Sequence, residues 1–171
     1  MKPFKLFLFS VCASLFASAN SSPSYALASD REQPIYIESD SAERDDKKGI
    51  TTYQGKVKMD QGSMRIVADK ITIHSVDNRV HMIVATGKPA RYQQKPSPDK
   101  ELVVAEGGTI RYEIDPERLE LVKNASIMQE GTTMSGDRID YNITESLVKA
   151  AGDAHSSNQR IKMVIPPATK E

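Results

Sequence analysis

From residue 33 onward, apolar and polar positions along this chain alternate with a period of two. PIYIES sets Ile35 and Ile37 on one side and Tyr36 on the other, while GKVKMD sets Val57 and Met59 against Lys56, Lys58 and Asp60. MRI, ITI, TIRYEI, IDYNI and QRIKMVI repeat the pattern. Successive side chains of a strand point to opposite sheet faces, so this alternation predicts half-buried β-strands. Between them DDKKG, DQG, VDN, GKP, EGG, DPE and QEG read as turns. Short strands at this spacing predict an all-β sandwich, barrel or roll. ERLELVKNASIMQ is the one stretch with a helical alternative, and its flanks favour a strand.

The strands belong to a repeat. Asp40, Asp69, Gly108 and Asp137 mark SDSA, ADKI, GGTI and GDRI at intervals of 29, 39 and 29 residues. Each marker is followed 15 to 18 residues later by a second one, at Gly55, Gly87, Asn124 and Gly152. The unit reads as strand, turn, strand, Gly or Asn break, strand. Such units stack, because one alone cannot bury its apolar face. The long middle interval holds KPSPDKE, a Pro-rich loop at 95–101.

The alternation also defines an inside. Ile35, Ile37, Val57, Met59, Met64, Ile66, Ile71, Ile73, Tyr92, Ile110, Tyr112, Ile114, Leu119, Leu121, Ile139, Tyr141 and Ile143 are predicted to face it. There is no Trp, and none of the four Phe lies beyond residue 16, so the interior is aliphatic with Tyr and Met. Met fills irregular space adaptably, and each buried methylene of a lipid chain is favourable by about 0.8 kcal/mol. Packed core and lipid-holding groove both fit this composition.

Candidate chemistry changes this picture little. Asp69 beside Lys70, with its near-copy Asp137-Arg138, suggests an acid/base pair. Strand neighbours face opposite ways, however, so the two are expected not to converge, and Asp69 is read as closing a turn at the start of a strand. Glu38, Asp40, Glu43, Asp45 and Asp46 lack the regular spacing of a calcium loop, being interrupted by Arg44, Lys47 and Lys48, and read as a solvated turn. His74, His81 and His155 have no metal-binding spacing. ATGKPA lacks the remaining glycines of a phosphate loop, and no G-x-S-x-G elbow occurs. No catalytic residue, metal ligand or cofactor is assigned.

The first residues read as an export signal. Lys2 and Lys5 make a basic start, FKLFLFSVCASLFASA is the apolar stretch, and small-x-small sites lie at Ala17-Ser18-Ala19 and Ala26-Leu27-Ala28. We expect residues 1–28 to be removed, 29–165 to form one domain and 166–171 to be a flexible tail. Cys12, the single cysteine, falls in the removed part, leaving no thiol for a disulfide or a nucleophile. Lys and Arg number 23, as do Asp and Glu, so no basic excess exists to bind nucleic acid.

QPIYIESDSAE, YQGKVKMDQGSMRIVADKITI, GKPARYQQ, IRYEI and MSGDRIDYN, in this order and spacing, closely resemble the OstA-like family of periplasmic lipopolysaccharide-transport proteins. The similarity runs from about Gln33 to Val148, with a divergent tail. It implies a periplasmic, open, twisted antiparallel β-jelly roll that holds lipopolysaccharide acyl chains along its inner face. Under that resemblance Ile35, Ile37, Tyr92, Tyr112 and Ile114 are expected acyl-chain contacts, and Ile66, Ile71, Ile73 and Tyr141 join them as inward neighbours. The resemblance further implies head-to-tail self-association by strand pairing, with Ile35, Tyr36 and Ile37 at one edge and Ile161, Met163 and Ile165 at the other. It implies an inner-membrane-anchored, LptC-like bitopic partner at the N-terminal edge and an outer-membrane, LptD-like translocon at the C-terminal edge. The rival readings are a periplasmic glycan-binding β module, disfavoured by the lack of Trp and Phe, and a structural β spacer.

Overall fold

The computed structural model describes residues 30–152 and 160–167. The expected signal segment lies outside the described residues, as does His155. A single 3-10 turn, Asp30–Glu32, precedes ten strands: β1 (Tyr36–Glu38), β2 (Ser41–Asp45), β3 (Ile50–Gln61), β4 (Met64–Val76), β5 (Arg79–Gln94), β6 (Val103–Glu113), β7 (Arg118–Gln129), β8 (Thr132–Asn142), β9 (Leu147–Ala151) and β10 (Lys162–Val164). All belong to one open antiparallel sheet in which β3 to β8 follow one another as a meander. β1 and β2 share one edge of it, both pairing with β3, while β9 and β10 share the other, both pairing with β8. The stretch with a helical alternative is β7.

The strands are not short. β3 to β8 run 11 to 16 residues each, and GKP and EGG, expected to be turns, lie inside β5 and β6. Each long strand instead breaks register near its middle, and β4 and β5 break again between His74 and Ser75. The mid-strand breaks fall between Gln54 and Val57, Val67 and Lys70, Thr86 and Ala90, Glu106 and Thr109, and Val122 and Ala125. They line up across the sheet as a row of β-bulges. At the two edges the row continues as the gap between β1 and β2, at Asp40, and the end of β9 before Gly152. Every repeat marker therefore sits on one line, and the repeat is a repeat of corners.

A bulge adds unopposed residues, bends its strand and can reverse which parity of residues faces inward. In β4 the buried positions are Met64, Ile66 and Ala68, then Ile71 and Ile73. Asp69 and Lys70 lie at the change of phase and are both exposed. The expected opposite orientation of this pair, and its place at a strand start, are thus corrected: the pair is mid-strand, on the outside of a bend. In β3 and β7 two consecutive residues take the left-handed conformation instead, Gly55-Lys56 and Lys123-Asn124, and the inward parity is kept.

The bends fold the sheet along its length so that its two halves cover each other. Burial shows this: Val57, Met59, Ile66 and Ile71 are fully buried, although no second layer exists among the described residues to cover them. Alanines gather where the fold is tightest, with Ala68, Ala85, Ala90, Ala105 and Ala125 all buried within two or three positions of a break. Larger Ile, Leu, Met and Tyr side chains fill the space farther out. The hairpin turns form two free margins. One carries residues 62–63, 95–102 and 130–131; the other carries 46–49, 77–78, 114–117 and 143–146.

The outer face is laced with charge pairs within and across strands. Glu120 accepts from both Arg111 at 2.9 Å and Arg138 at 2.6 Å, and Arg138 also meets Asp140 at 2.8 Å. Asp60 takes Arg65 at 2.6 Å and Lys58 at 3.3 Å. Opposite charges across neighbouring strands stabilise the pairing modestly and keep this face in water.

Candidate lipid-binding interior

The expected acyl-chain contacts all lie on the inner face, in three different settings. Ile66, Ile71, Tyr92, Tyr112 and Tyr141 are closed in the core, none more than 3% exposed. Ile35, Ile37 and Ile73 line an open cavity of about 800 Å³ at the N-terminal end of the roll. Ile114 is half-buried at the second margin, packed against the core. β1 brings Ile37 opposite Met59, so its outward neighbour Tyr36 is left exposed as expected.

The cavity is amphipathic. Tyr53 and Val80 complete an apolar floor with the three isoleucines, and the turn from Arg44 to Gly49 forms a charged rim. Its size falls within the range of small-molecule pockets. The acids of that rim are engaged by neighbouring cations: Asp46 by Arg44 at 2.5 Å and Asp45 by Lys48 at 3.1 Å. The Lys48 ammonium and its backbone N–H hold the Asp45 carboxyl below its usual value. Tyr53 and Val80 were not among the expected inward residues. The polar triplet around Tyr53 and the unpatterned run Val80–Ala85 hid them, and Ile83 for the same reason.

Two tyrosines join the halves of the roll. Tyr92, on one half, and Tyr112, on the other, stand with ring centroids 6.0 Å apart. Burial pushes both phenols up, Tyr92 well up. The Tyr92 hydroxyl is satisfied by donating to the side-chain amide oxygen of Gln94. Tyr141 differs. Its hydroxyl is the one buried side-chain polar atom without a hydrogen-bond partner among the described residues.

The edge residues are disposed unequally. β10 pairs with β8 through Met163 and Met134, yet Ile161, Met163, Val164 and Ile165 are all exposed, the last at 70%. Alternation there does not translate into burial, because nothing among the described residues covers either face of this strand. β1 likewise leaves one edge unpaired among the described residues.

A single sheet folded into a trough, charged outside and aliphatic inside, with a free strand edge at each end among the described residues, is the architecture of a family of transport proteins. A sequence profile described as LptA/(LptD N-terminal domain) LPS transport protein matches residues 36–146. The chain is 40% identical over 161 residues to the lipopolysaccharide export system protein LptH of Pseudomonas aeruginosa, covering 91% of this chain and 92% of that one. It is 31% identical over 166 residues to LptA of Escherichia coli, covering 96% and 87%. The crystal structure of LptH, described as the LptA-homologous periplasmic component of the lipopolysaccharide transport device, superposes with a TM-score of 0.75 over 82% of this chain and all of that one. The chain belongs to the LptA/LptD N-terminal-domain family of lipopolysaccharide transport proteins and is periplasmic. The relatives are named as export-system components rather than enzymes.

Proposed function

We propose that this protein carries lipopolysaccharide across the periplasm by holding its acyl chains between the two halves of the roll while the saccharide stays in water. The observation that supports this most directly is the single continuous apolar face, which no second layer of the described protein covers and which opens at one end into a cavity floored by Ile35, Ile37 and Ile73. Exchanging protein–protein for protein–acyl contacts needs no covalent step, at about 0.8 kcal/mol per buried methylene. We further propose that copies join head to tail, β10 of one beside β1 of the next. The N-terminal edge would receive an LptC-like partner and the C-terminal edge an LptD-like one. Unpaired strand edges recruit strands, and a heterologous joint of this kind does not close. A glycan-binding reading is weaker, since Tyr36 is the one strongly exposed tyrosine among the described residues.

A photo-crosslinking residue placed at Ile37 or Tyr112 tests the interior. Covalent lipopolysaccharide adducts are expected at both. Adducts confined to outward positions such as Tyr36 or Lys58 would refute it.

A further inference from the structure

The core is shut in this structure, so a lipid reaches Ile66, Tyr92 or Tyr141 only if the two margins part. What holds them at mid-length is the Asp30–Glu32 turn, which contributes no buried residue of its own. Asp30 faces the first margin. Its carboxylate accepts from the Ser63 backbone N–H at 2.7 Å, the Ser63 hydroxyl at 2.6 Å and the Gln94 amide at 2.8 Å. Gln61 adds a bond from its amide to the Gln33 carbonyl at 3.0 Å. Arg31, the next residue, faces the second margin. It donates to the Ile114 carbonyl and pairs with Glu117 at 3.0 Å and Asp115 at 3.3 Å. Two consecutive residues therefore grip opposite margins of the trough.

We propose that this turn is a clasp across the mouth of the roll and that lipid entry requires Arg31 to let go of the second margin. The inference rests on the lipid-carrier reading and adds its regulation. The two grips differ in strength. Asp30 receives three short bonds, and a carboxylate bonded this way is firmly held. The Arg31 pairs reach solvent, Glu117 being 32% and Asp115 89% exposed, and such pairs stabilise less than buried ones. The second margin is the one that yields. The clasp also senses the interior, because Gln94 bonds both Asp30 and the buried Tyr92 hydroxyl. An acyl chain that displaces the Tyr92 ring pulls on the same amide that anchors the turn.

The test uses the chain lacking residues 1–28, with spin labels on cysteines at Glu130 and Glu145, one on each margin. Saturating lipopolysaccharide is expected to lengthen the distance between them. Arg31→Glu is expected to lengthen it without lipid and to speed lipopolysaccharide uptake by at least about two- to tenfold, the range for a single lost hydrogen bond, since it removes one bond and two ion pairs. Arg31→Glu/Glu117→Arg is expected to return both readings toward wild type, which a defect in folding alone would not do. Glu117→Gln checks the same contact without reversing charge. An unchanged distance at saturation, or wild-type uptake by Arg31→Glu, overturns the clasp. If lipopolysaccharide crosslinks at Tyr112 while the distance is unchanged, the clasp alone fails; if it crosslinks nowhere inside, the carrier reading fails with it.

Discussion

Tyr92 and Tyr112 touch across the roll although Tyr92 stands nine positions along β5 from Ile83, the partner of Tyr112 in the ladder. Along a straight strand that separation would be about 30 Å. The contact thus measures how completely the corner folds the sheet. Removing one ring should open the core where the halves meet. Tyr112→Ala is expected to lower unfolding free energy by about 3–5 kcal/mol, as for other large aromatic truncations, whereas the exposed Tyr36→Ala should change it by under about 0.5 kcal/mol. Urea denaturation monitored by circular dichroism decides; equal effects would contradict the folded-over core.

The corner itself depends on backbone conformation. Gly55 has φ of 85° and Lys56 follows at 47°. A side chain at Gly55 would run into the Asp40 carboxylate, and Asp40 itself donates its backbone N–H to the Gln54 carbonyl at 3.0 Å. Gly55→Ala should cost about 1–3 kcal/mol. Lys56→Gly should be neutral or stabilising, since relief of about 1–2 kcal/mol in the left-handed region offsets about 0.5–1 kcal/mol of added flexibility. Thermal denaturation of the pair reads the contrast.

Repeat length, strand existence and most of the inner face were legible in the sequence, because period-two alternation is a direct consequence of strand geometry. The corners were not. Gly87, Gly107-Gly108 and Asn124 carry the residue types of turns, and a bulge uses the same backbone freedom as a turn without reversing the chain. The buried alanines were missed for a related reason: their small size matters only once two halves of a sheet converge. Ile66, Ile71, Tyr92, Tyr112 and Tyr141 were legible as inward. That they are sealed, while Ile35 and Ile37 stand half-open at the cavity whose floor Ile73 completes, depends on the fold-over and on no local pattern. The grip of Asp30 and Arg31 joins positions up to 86 residues apart, beyond the reach of any motif.

Tyr141 carries a buried hydroxyl with no well-formed hydrogen bond among the described residues, although the Gln129 side chain lies near enough to act on it. Leaving a buried polar group unpaired costs about 1–3 kcal/mol, so Tyr141→Phe is expected to match or exceed wild type in melting temperature. A lower melting temperature would show that the hydroxyl has a partner in solution.

On the outer face His74 and His81 stand edge to face at 6.1 Å. Burial, His81 and Arg111 together hold His74 below its ordinary value of 6.5. The folded protein thus prefers neutral His74. The stability this gives is complete above pH 6.5 and is lost as pH falls through the lower folded value. His74→Gln should therefore show a smaller drop in melting temperature between about pH 7.5 and 5.5 than wild type. An equal drop in the variant would assign the acid sensitivity elsewhere.

β10 contributes no buried side chain, so deleting residues 160–171 should leave a folded roll. Light scattering at high protein concentration is expected to show a monomer, with far-UV circular dichroism retaining its β signal. Oligomers of unchanged size would mean that another surface joins the copies.

The row of corners makes length a free variable of this architecture. Each hairpin brings its own pair of bends, its own inward residues and its own stretch of both margins, and it leans only on the hairpins beside it. A chain with one hairpin more or fewer would form the same trough, longer or shorter, with its cross-section unaltered. The molecule is a segment of gutter cut to size, and a strand added at either end extends the channel just as one more hairpin within the chain would.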